Sequence, residues 1–301
     1  MNEKKTAPVL RTLKDDIPEL IPFLKPGMKV LDVGCGPGTI TLGVAEVVNP
    51  GKVVGIDASP GYIDTARELA AQVEHPVNVT FQVGDSHRLD FPDETFDVVF
   101  SHTVLHFFLD PVMALKEQRR VTRKGGYVIA SGVRDIGEGS YTYPPSPNWD
   151  KVKEAWRHYT EAHLMHYRES GKDPVAFLNE QAKSSADSMV CADSKAGRKC
   201  LDWFNKAALS ELRIEVRGRV EYQGHRLAPP SGFDMLVVEE PTTDDQRFHA
   251  EYIRHFVQGM IAGGLLDEVT LERATEEARA WYQDPGAFRF FPEFFAVGRA
   301  V

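Results

Sequence analysis

A glycine-rich turn flanked by two carboxylates is the stretch of this sequence whose residue types could do chemistry. The apolar run Lys29–Val33 predicts a buried strand, the turn Gly34–Gly38 (Gly-Cys-Gly-Pro-Gly) follows it, and Thr39–Val48 predicts a helix. A strand, a glycine turn and a helix in this order present backbone N–H groups to a ligand at the edge of an open α/β sheet. Glycine suits such a turn because it lacks the Cβ atom that would block close approach.

The spacing and the charges around this turn narrow the class of ligand. In a dinucleotide-binding turn, Gly-x-Gly-x-x-Gly, the third glycine would stand where this chain has Thr39. Asp32 lies just before the turn and would repel a pyrophosphate, whereas it would attract a ligand that carries a positive amino group and a sulfonium. Asp57 ends the next strand-like run, Lys52–Asp57, and could bind both hydroxyls of a ribose.

Together these features resemble the class I S-adenosylmethionine-dependent methyltransferases. The likeness continues at Leu89–His102, which is similar to the stretch that carries the second half of the cofactor site in the ubiquinone and menaquinone C-methyltransferase branch and its small-molecule relatives. The resemblance implies S-adenosylmethionine as cofactor, S-adenosylhomocysteine as product, and in-line transfer of the methyl group to a small-molecule acceptor. The cofactor-binding residues that it implies are Asp32, Gly34, Cys35, Gly36, Asp57, Ala58, Asp85, Ser86 and Ser101.

Each implied role has a structural alternative. Asp32 and the glycines would surround the methionine end of the cofactor, or the glycines would only form a tight turn. Asp57 would bind the ribose or cap the next helix, although Ser59 already suits that cap. Asp85 would accept from the adenine amino group or only shape a turn. Ser101 would face the methionine moiety, or the backbone would satisfy its hydroxyl.

Two histidines after the fourth predicted strand are the nearest candidates for a catalytic base. His102 and His106 are four residues apart, so they would share one face if this segment were helical. A base is needed only where the acceptor is protonated at its reacting atom; otherwise the histidines are polar groups in the pocket wall. No carboxylate nearby completes a metal-ligand set, so no metal is predicted. The segment Ser101–Val104 also lacks the Asn/Asp-Pro-Pro-Tyr signature of nucleic-acid and protein N-methyltransferases.

Strands and helices alternate around these residues, which predicts a Rossmann-like, doubly wound α/β fold with a seven-stranded, mostly parallel sheet. The predicted strands are Lys29–Val33, Val53–Ile56, Val77–Val83, Phe96–Phe100, Tyr127–Ser131, Arg213–Gln223 and, antiparallel by the resemblance, Phe290–Val301. Lys124–Gly126 is predicted as a turn and Gly137–Pro147 as a loop. The predicted helices are Thr6–Leu24 (broken by Pro18), Thr39–Val48, Ser59–Val73, Pro111–Thr122, Trp149–Ser170, Asp173–Met189, Ser194–Leu209, Thr243–Gly263 and Thr270–Tyr282, with Thr270 as an N-cap.

The sequence predicts a single methyltransferase domain over residues 1–301. Its cofactor-binding core would cover 25–135. A helical insertion, or lid, would follow strand five at 136–193, and a second helical insertion at 240–285 would separate the last two strands.

Composition limits the compartment and the partners. The chain has 42% hydrophobic residues, enough for a sizeable core, and a net charge of −9, which argues against non-specific nucleic-acid binding. Cys35, Cys191 and Cys200 give neither a disulfide framework nor a zinc spacing. The absence of a signal peptide and of a long apolar run predicts a cytoplasmic protein without a membrane span. The oligomeric state stays open.

Two other functions are compatible with these motifs. A regulator or scaffold could bind S-adenosylmethionine without turnover, and the same cofactor-binding residues would serve it. An RNA or protein methyltransferase is the third possibility, against which the acidic charge and the missing signature argue.

Overall fold

One mixed sheet forms the centre of the molecule. The computed structural model describes residues 11–73, 77–135, 139–174, 176–177, 193–222, 254 and 256–301. In that part of the chain the strands are β1 (Lys29–Val33), β2 (Lys52–Asp57), β3 (Val79–Val83), β4 (Phe96–His102), β5 (Thr122–Val133), β6 (Tyr141–Tyr143), β7 (Ser210–Tyr222) and β8 (Phe288–Arg299). Their order is β3-β2-β1-β4-β5-β8-β6, and β7 pairs with β8 on its other side.

The first five strands are parallel, and β8 is antiparallel to its neighbours. Alternate residues of β1 pack on opposite faces of the sheet: Val30 joins a cluster with Val44, whereas Leu31 joins one with Val121. Strands that are covered on both faces are nearly continuous apolar runs, and this is why they could be predicted from the sequence. The predicted doubly wound, mostly parallel sheet is therefore confirmed.

Seven helices and two 3₁₀ turns have defined ends among the described residues. The helices are α1 (Leu13–Asp16), α2 (Thr39–Val48), α3 (Pro60–Ala71), α4 (Pro111–Val121), α5 (Pro147–Ser170), α6 (Ala196–Lys206) and α7 (Glu268–Gln283), and the 3₁₀ turns are Pro18–Phe23 and Leu105–Phe107. Residues 256–262 are also helical. Ser59 caps α3 by accepting the N–H of Tyr62, and Pro60 stands at the first helical position, as its sequence predicts.

The strands differ from the predictions mainly where pairing is long-range. β6 lies within the segment predicted as a loop, because Tyr141–Tyr143 finds its partner in β8, far along the chain. β4 continues two residues past Phe100, since Ser101 and His102 pair with β5. The predicted turn at Lys124–Gly126 is a bulge inside β5, where the register with β4 shifts. β3 begins at Val79 rather than Val77, β7 begins at Ser210 rather than Arg213, and Gln223 lies outside the described residues.

Three predicted helices also have corrected ends. The lead-in Thr6–Leu24 becomes the short α1 and a 3₁₀ turn, because Pro18 interrupts it; residues 6–10 lie outside the described part. Thr270 is not the N-cap of α7, because Asp267 accepts both its backbone N–H and its hydroxyl. α6 is shorter at both ends than Ser194–Leu209. Much of the predicted Asp173–Met189 and Thr243–Gly263 helices lies outside the described residues.

The two predicted insertions pack against each other. Trp149 and Tyr159 of α5 share a buried cluster with Phe256 and Met260 of the helical segment 256–262. Glu277 of α7 accepts the backbone N–H groups at the start of α5, including that of Trp149 at 3.2 Å. This carboxylate replaces the side-chain cap that α5 lacks in its own sequence.

Candidate functional site

The glycine turn lies at the carboxyl ends of β1 and β2 and is held by the backbone of β2. The N–H groups of Gly34 and Cys35 both donate to the carbonyl oxygen of Ile56, at 2.8 and 2.9 Å. A Cβ atom on Gly34 would stand 2.8 Å from Cγ1 of Val104, whereas one on Gly36 would meet nothing within 4 Å. The turn is therefore packed at Gly34 by Val104, which lies two residues after β4, and is open at Gly36, where a ligand can approach the backbone.

Asp32 is a buried carboxylate beneath this turn. Its side chain accepts a hydrogen bond of 2.7 Å from Thr41 and forms no ion pair with a described residue. Burial, with a smaller contribution from Asp57, raises the pKa of Asp32 to about 7, and the Thr41 hydroxyl opposes this rise. A cationic ligand would compensate for the unfavourable burial of this charge. The sequence did not single out Thr41.

Asp57 ties the glycine turn to the start of α3. Its two carboxylate oxygens accept the N–H groups of Gly36 and Ser59, each at 2.9 Å. Burial raises its pKa, although the N–H groups of Ser59, Gly36 and Ala58 oppose that effect. Each oxygen keeps a second lone pair for a ligand hydroxyl. Ala58 is exposed at the rim, and Cys35 is buried in the turn.

Asp85 lies just beyond β3 and shapes a turn while leaving one oxygen without a described partner. Its Oδ1 accepts from the backbone N–H of His87 at 2.8 Å and contacts His87 Nδ1 at 3.0 Å. Burial opposes ionisation, but the hydrogen bonds from His87 outweigh it, so the pKa of Asp85 is lowered. His87 Nε2 accepts the N–H of Asp110, which fixes the ring between two elements. Ser86 lies beside this ring.

The end of β4 gathers buried polar atoms that have no hydrogen-bond partner among the described residues. These atoms are Ser101 Oγ, both ring nitrogens of His102 and Nδ1 of His106. Their residues are 1%, 6% and 4% exposed. The backbone therefore does not satisfy the Ser101 hydroxyl.

The prediction that His102 and His106 share one face of a helix is wrong. His102 is the last residue of β4, because it pairs with Ser131 of β5, and His106 lies in the 3₁₀ turn Leu105–Phe107. Thr103 turns the chain between them with a φ of 58°.

Both histidines have lowered pKa values. Burial is the largest cause at each residue, and the charges of Arg11 and Arg134 add to it. The pKa of His106 falls to about 3, and that of His102 also lies well below its ordinary value. Both imidazole rings are therefore uncharged near neutral pH.

Three arginines that sequence reasoning missed surround this end of the site. The arginine cluster consists of Arg11, Arg134 and Arg219. Arg134 Nε donates to Glu293 at 2.9 Å, and Arg219 lies 3.7 Å from the same carboxylate. Arg11 Nη1 donates to the hydroxyl of Thr103 at 2.8 Å. These residues come from distant parts of the chain, so no local spacing marks them.

A Rossmann-like sheet with a glycine turn after its first strand defines a class of proteins that bind nucleotide-containing cofactors. Within that class, the family model described as a methyltransferase domain matches residues 24–202, more than half of the chain. The chain belongs to this methyltransferase family, and the resemblance that its motifs carry is confirmed.

Three comparisons illustrate the likeness. An uncharacterised methyltransferase of Schizosaccharomyces pombe is 43% identical over 114 residues, which cover 36% of this chain and 41% of that protein. A demethylmenaquinone methyltransferase of Symbiobacterium thermophilum is 37% identical over 106 residues, covering 35% and 42%. The chain thus spans less than half the length of these curated relatives. The crystal structure of YcgJ from Bacillus subtilis superposes with a TM-score of 0.54 at 18% identity over 94% of this chain and 97% of that one, which shows a shared fold.

The described residues contain neither a candidate membrane span nor a candidate metal site. None of the helices there combines the length and hydropathy that a bilayer crossing requires. No group of three or more His, Cys, Asp or Glu side chains there is arranged to hold a metal ion.

Proposed function

We propose that the chain uses S-adenosylmethionine to methylate a small-molecule acceptor. The observation that carries this proposal is the group of buried, unpartnered polar atoms of Ser101, His102 and His106 beside the glycine turn. Native proteins leave few buried polar atoms unpaired, so such a group indicates a missing ligand. An enclosed group of this kind suits a ligand small enough to be surrounded. The Symbiobacterium relative is named for demethylmenaquinone, itself a small molecule.

The residues at the ends of β1 and β2 fit this cofactor. Asp32 would face the positively charged methionine end, and the open space at Gly36 would admit the ligand against the turn, beside Gly34 and Cys35. The spare lone pairs of Asp57 would accept the ribose hydroxyls, with Ala58 at the rim. When bound, S-adenosylmethionine supplies a methyl carbon that its sulfonium has already activated.

Residues at the ends of β3 and β4 would contact the adenine and the methionine moiety of the cofactor. The unpartnered oxygen of Asp85 would accept from the adenine amino group, with Ser86 beside it. Ser101 would offer its hydroxyl to the methionine moiety. His87 would act indirectly, by holding the Asp85 carboxylate in place.

The remaining task of the chain is to hold the acceptor in line with the methyl carbon and to exclude water. His102 and His106 are buried and unprotonated near neutral pH, so each can accept a hydrogen bond or a proton. Because their lowered pKa values make them weak bases, we assign them to acceptor orientation first. They would accept a proton only from an acidic acceptor group.

The first test is calorimetric titration with S-adenosylmethionine, followed by a product assay over phenols, quinones, amines and thiols. We expect binding, and release of S-adenosylhomocysteine with one acceptor class. Asp57→Ala should weaken binding by at least tenfold, because it removes both acceptors for the ribose. Asp64→Ala is the matched control, since Asp64 is exposed on α3 and pairs with Arg67. Wild-type protein that binds no cofactor would disprove the proposal.

The two alternatives predict different results in the same assays. A regulator would bind S-adenosylmethionine yet yield no S-adenosylhomocysteine with any acceptor in the panel. An RNA methyltransferase would bind RNA with an affinity that falls steeply as salt increases.

A further inference from the structure

The acceptor end of the site contains a guanidinium that has no described carboxylate within ion-pair distance. Arg134 and Arg219 lie within 4.0 Å of Glu293, and Arg219 lies 3.6 Å from Asp16. Arg11, by contrast, forms no ion pair with a described residue, and its described partner is the hydroxyl of Thr103. The two carboxylates of this cluster are therefore committed to the other two arginines.

Arg11 is also half-buried. Burial lowers its pKa, and the charges of Arg134 and Arg219 lower it further, whereas the carboxylates of Asp16 and Glu293 oppose this effect. Taking a charged group out of water is unfavourable unless an opposite charge or hydrogen bonds compensate for it. A single neutral hydroxyl is weak compensation for a guanidinium with five N–H donors.

Unpartnered imidazole nitrogens lie beside this cation. The Thr103 hydroxyl that accepts from Arg11 belongs to the residue directly after His102, whose two ring nitrogens have no described partner. The His102 ring packs over Gly132 of β5: a Cβ atom there would lie 3.1 Å from His102 Cε1 and 3.3 Å from its Nδ1. Gly132 thus provides the space for the ring, and the charges of all three clustered arginines act on it.

We propose that Arg11 and His102 bind a carboxylate group of the acceptor, so that the acceptor is a small organic acid in its anionic form. Guanidinium N–H groups and an imidazole N–H are all donors to an oxyanion. This inference rests on the proposed function, because it assigns the acceptor class of that site.

The test compares two probes of nearly equal shape and different charge, 4-hydroxybenzoate and 4-hydroxybenzamide. Calorimetric titrations are run on protein loaded with S-adenosylhomocysteine and, in parallel, on cofactor-free protein. We expect the acid to bind at least tenfold more tightly than the amide. Equal binding of the two probes, including no binding of either at millimolar concentration, would overturn the inference.

Variants locate the effect. Arg11→Gln should reduce the affinity for the acid at least fivefold and leave the amide unaffected, while Arg11→Lys should keep part of the preference. Arg123→Gln is the matched control, because Arg123 is exposed and pairs with Asp97 at the amino end of β4. An undiminished acid preference in Arg11→Gln would contradict the assignment.

Imidazole NMR signals provide a second readout. The acid should shift the signals of His102 and leave those of His158, an exposed residue of α5, in place. The titration with S-adenosylhomocysteine separates the two proposals: failure to bind it counts against the proposed function, whereas normal binding without acid preference counts only against the anionic acceptor.

Discussion

The two ends of the candidate site are both buried, yet they carry opposite charge. At the ends of β1 and β2, Asp32 and Asp57 are carboxylates with no cationic partner among the described residues, and burial raises both of their pKa values. At the ends of β4 and β5, arginines surround His102 and His106, and burial together with these charges lowers both histidine pKa values.

This difference would let the chain discriminate between the two ligands proposed for the site. A cation would be favoured at the acidic end and an anion at the arginine cluster, because charges interact strongly where water is excluded. Each end would also reject the ligand of the other. A cationic methyl donor and an anionic acceptor would therefore bind in one orientation relative to each other.

The largest expected effect comes from neutralising the acidic end. Asp32→Asn should weaken S-adenosylmethionine binding by about 10- to 100-fold, because a hydrogen bond between charged groups contributes about 1.5–3 kcal/mol. Calorimetry measures this loss, and Asp64→Asn on the exposed face of α3 is the control. Acid binding at the arginine cluster should not change. If Asp32→Asn binds the cofactor as tightly as wild type, the charge of Asp32 does not favour the cationic ligand.

A second variant perturbs only the cationic end. Gly132 has a φ of 62°, and a Cβ atom there would lie 2.6 Å from Thr103 Cγ2. Gly132→Ala should lower the free energy of unfolding by about 1–3 kcal/mol and weaken acid binding, while S-adenosylhomocysteine binding stays unchanged.

Gly125→Ala is its matched control in the same strand. Gly125 has a φ of 75°, but the atom nearest to a Cβ added there is Arg299 Nη1, at 3.9 Å. We expect only the backbone strain there, about 1 kcal/mol in chemical denaturation, and no loss of acid binding. Equal losses of acid binding in the two variants would show that space at His102 does not matter.

The two ends also differ in how far sequence could predict them. The acidic end follows strong local signals: apolar runs mark β1 and β2, and a glycine turn stands between them. Its residues lie close together in the chain, so their convergence follows from a single strand–turn–helix–strand unit. What remained hidden was Thr41, whose role depends on the first turn of α2 facing back to Asp32.

The cationic end depends on long-range packing instead. Arg11 precedes the sheet, Arg134 follows β5 and Arg219 lies in β7, so only the assembled fold brings them together. The histidine spacing was misleading for the same reason. Pairing with β5 extends β4 through His102, and a helix-like interval of four residues then spans a strand end and a 3₁₀ turn.

The pH dependence of stability should show the two ends with opposite signs. His106 has a pKa of about 3 when folded and 6.5 when unfolded, so the unfolded chain binds more protons between these values and stability falls as pH falls below 6.5. His102 acts in the same direction. Asp32 has a pKa of about 7 when folded and 3.8 when unfolded, so its contribution falls as pH rises through that window. Each group changes the free energy of unfolding by at most about 1.4 kcal/mol per pH unit.

Urea denaturation between pH 4.5 and 8 measures these slopes. Relative to wild type, His106→Asn should lose less stability on acidification, whereas Asp32→Asn should gain most at pH 8. If the stability of both variants differs from that of wild type by an amount that does not change with pH, the two groups do not have shifted pKa values in the folded protein.

The smallest expected effect comes from the hydroxyl that supports the acidic end. Thr41 is fully buried and donates to Asp32, so Thr41→Val removes a hydrogen bond that favours the ionised carboxylate. The pKa of Asp32 should rise further, and the pH at which S-adenosylmethionine binding develops should move up by about one pH unit. Thr65→Val is the control, because the half-buried Thr65 lies on α3 and donates to the carbonyl of Gly61. Affinity measured from pH 6 to 9 distinguishes this shift from a uniform loss of binding. A uniform loss would mean that Thr41 shapes the turn, whereas a shifted profile would mean that the cofactor requires Asp32 in its charged form.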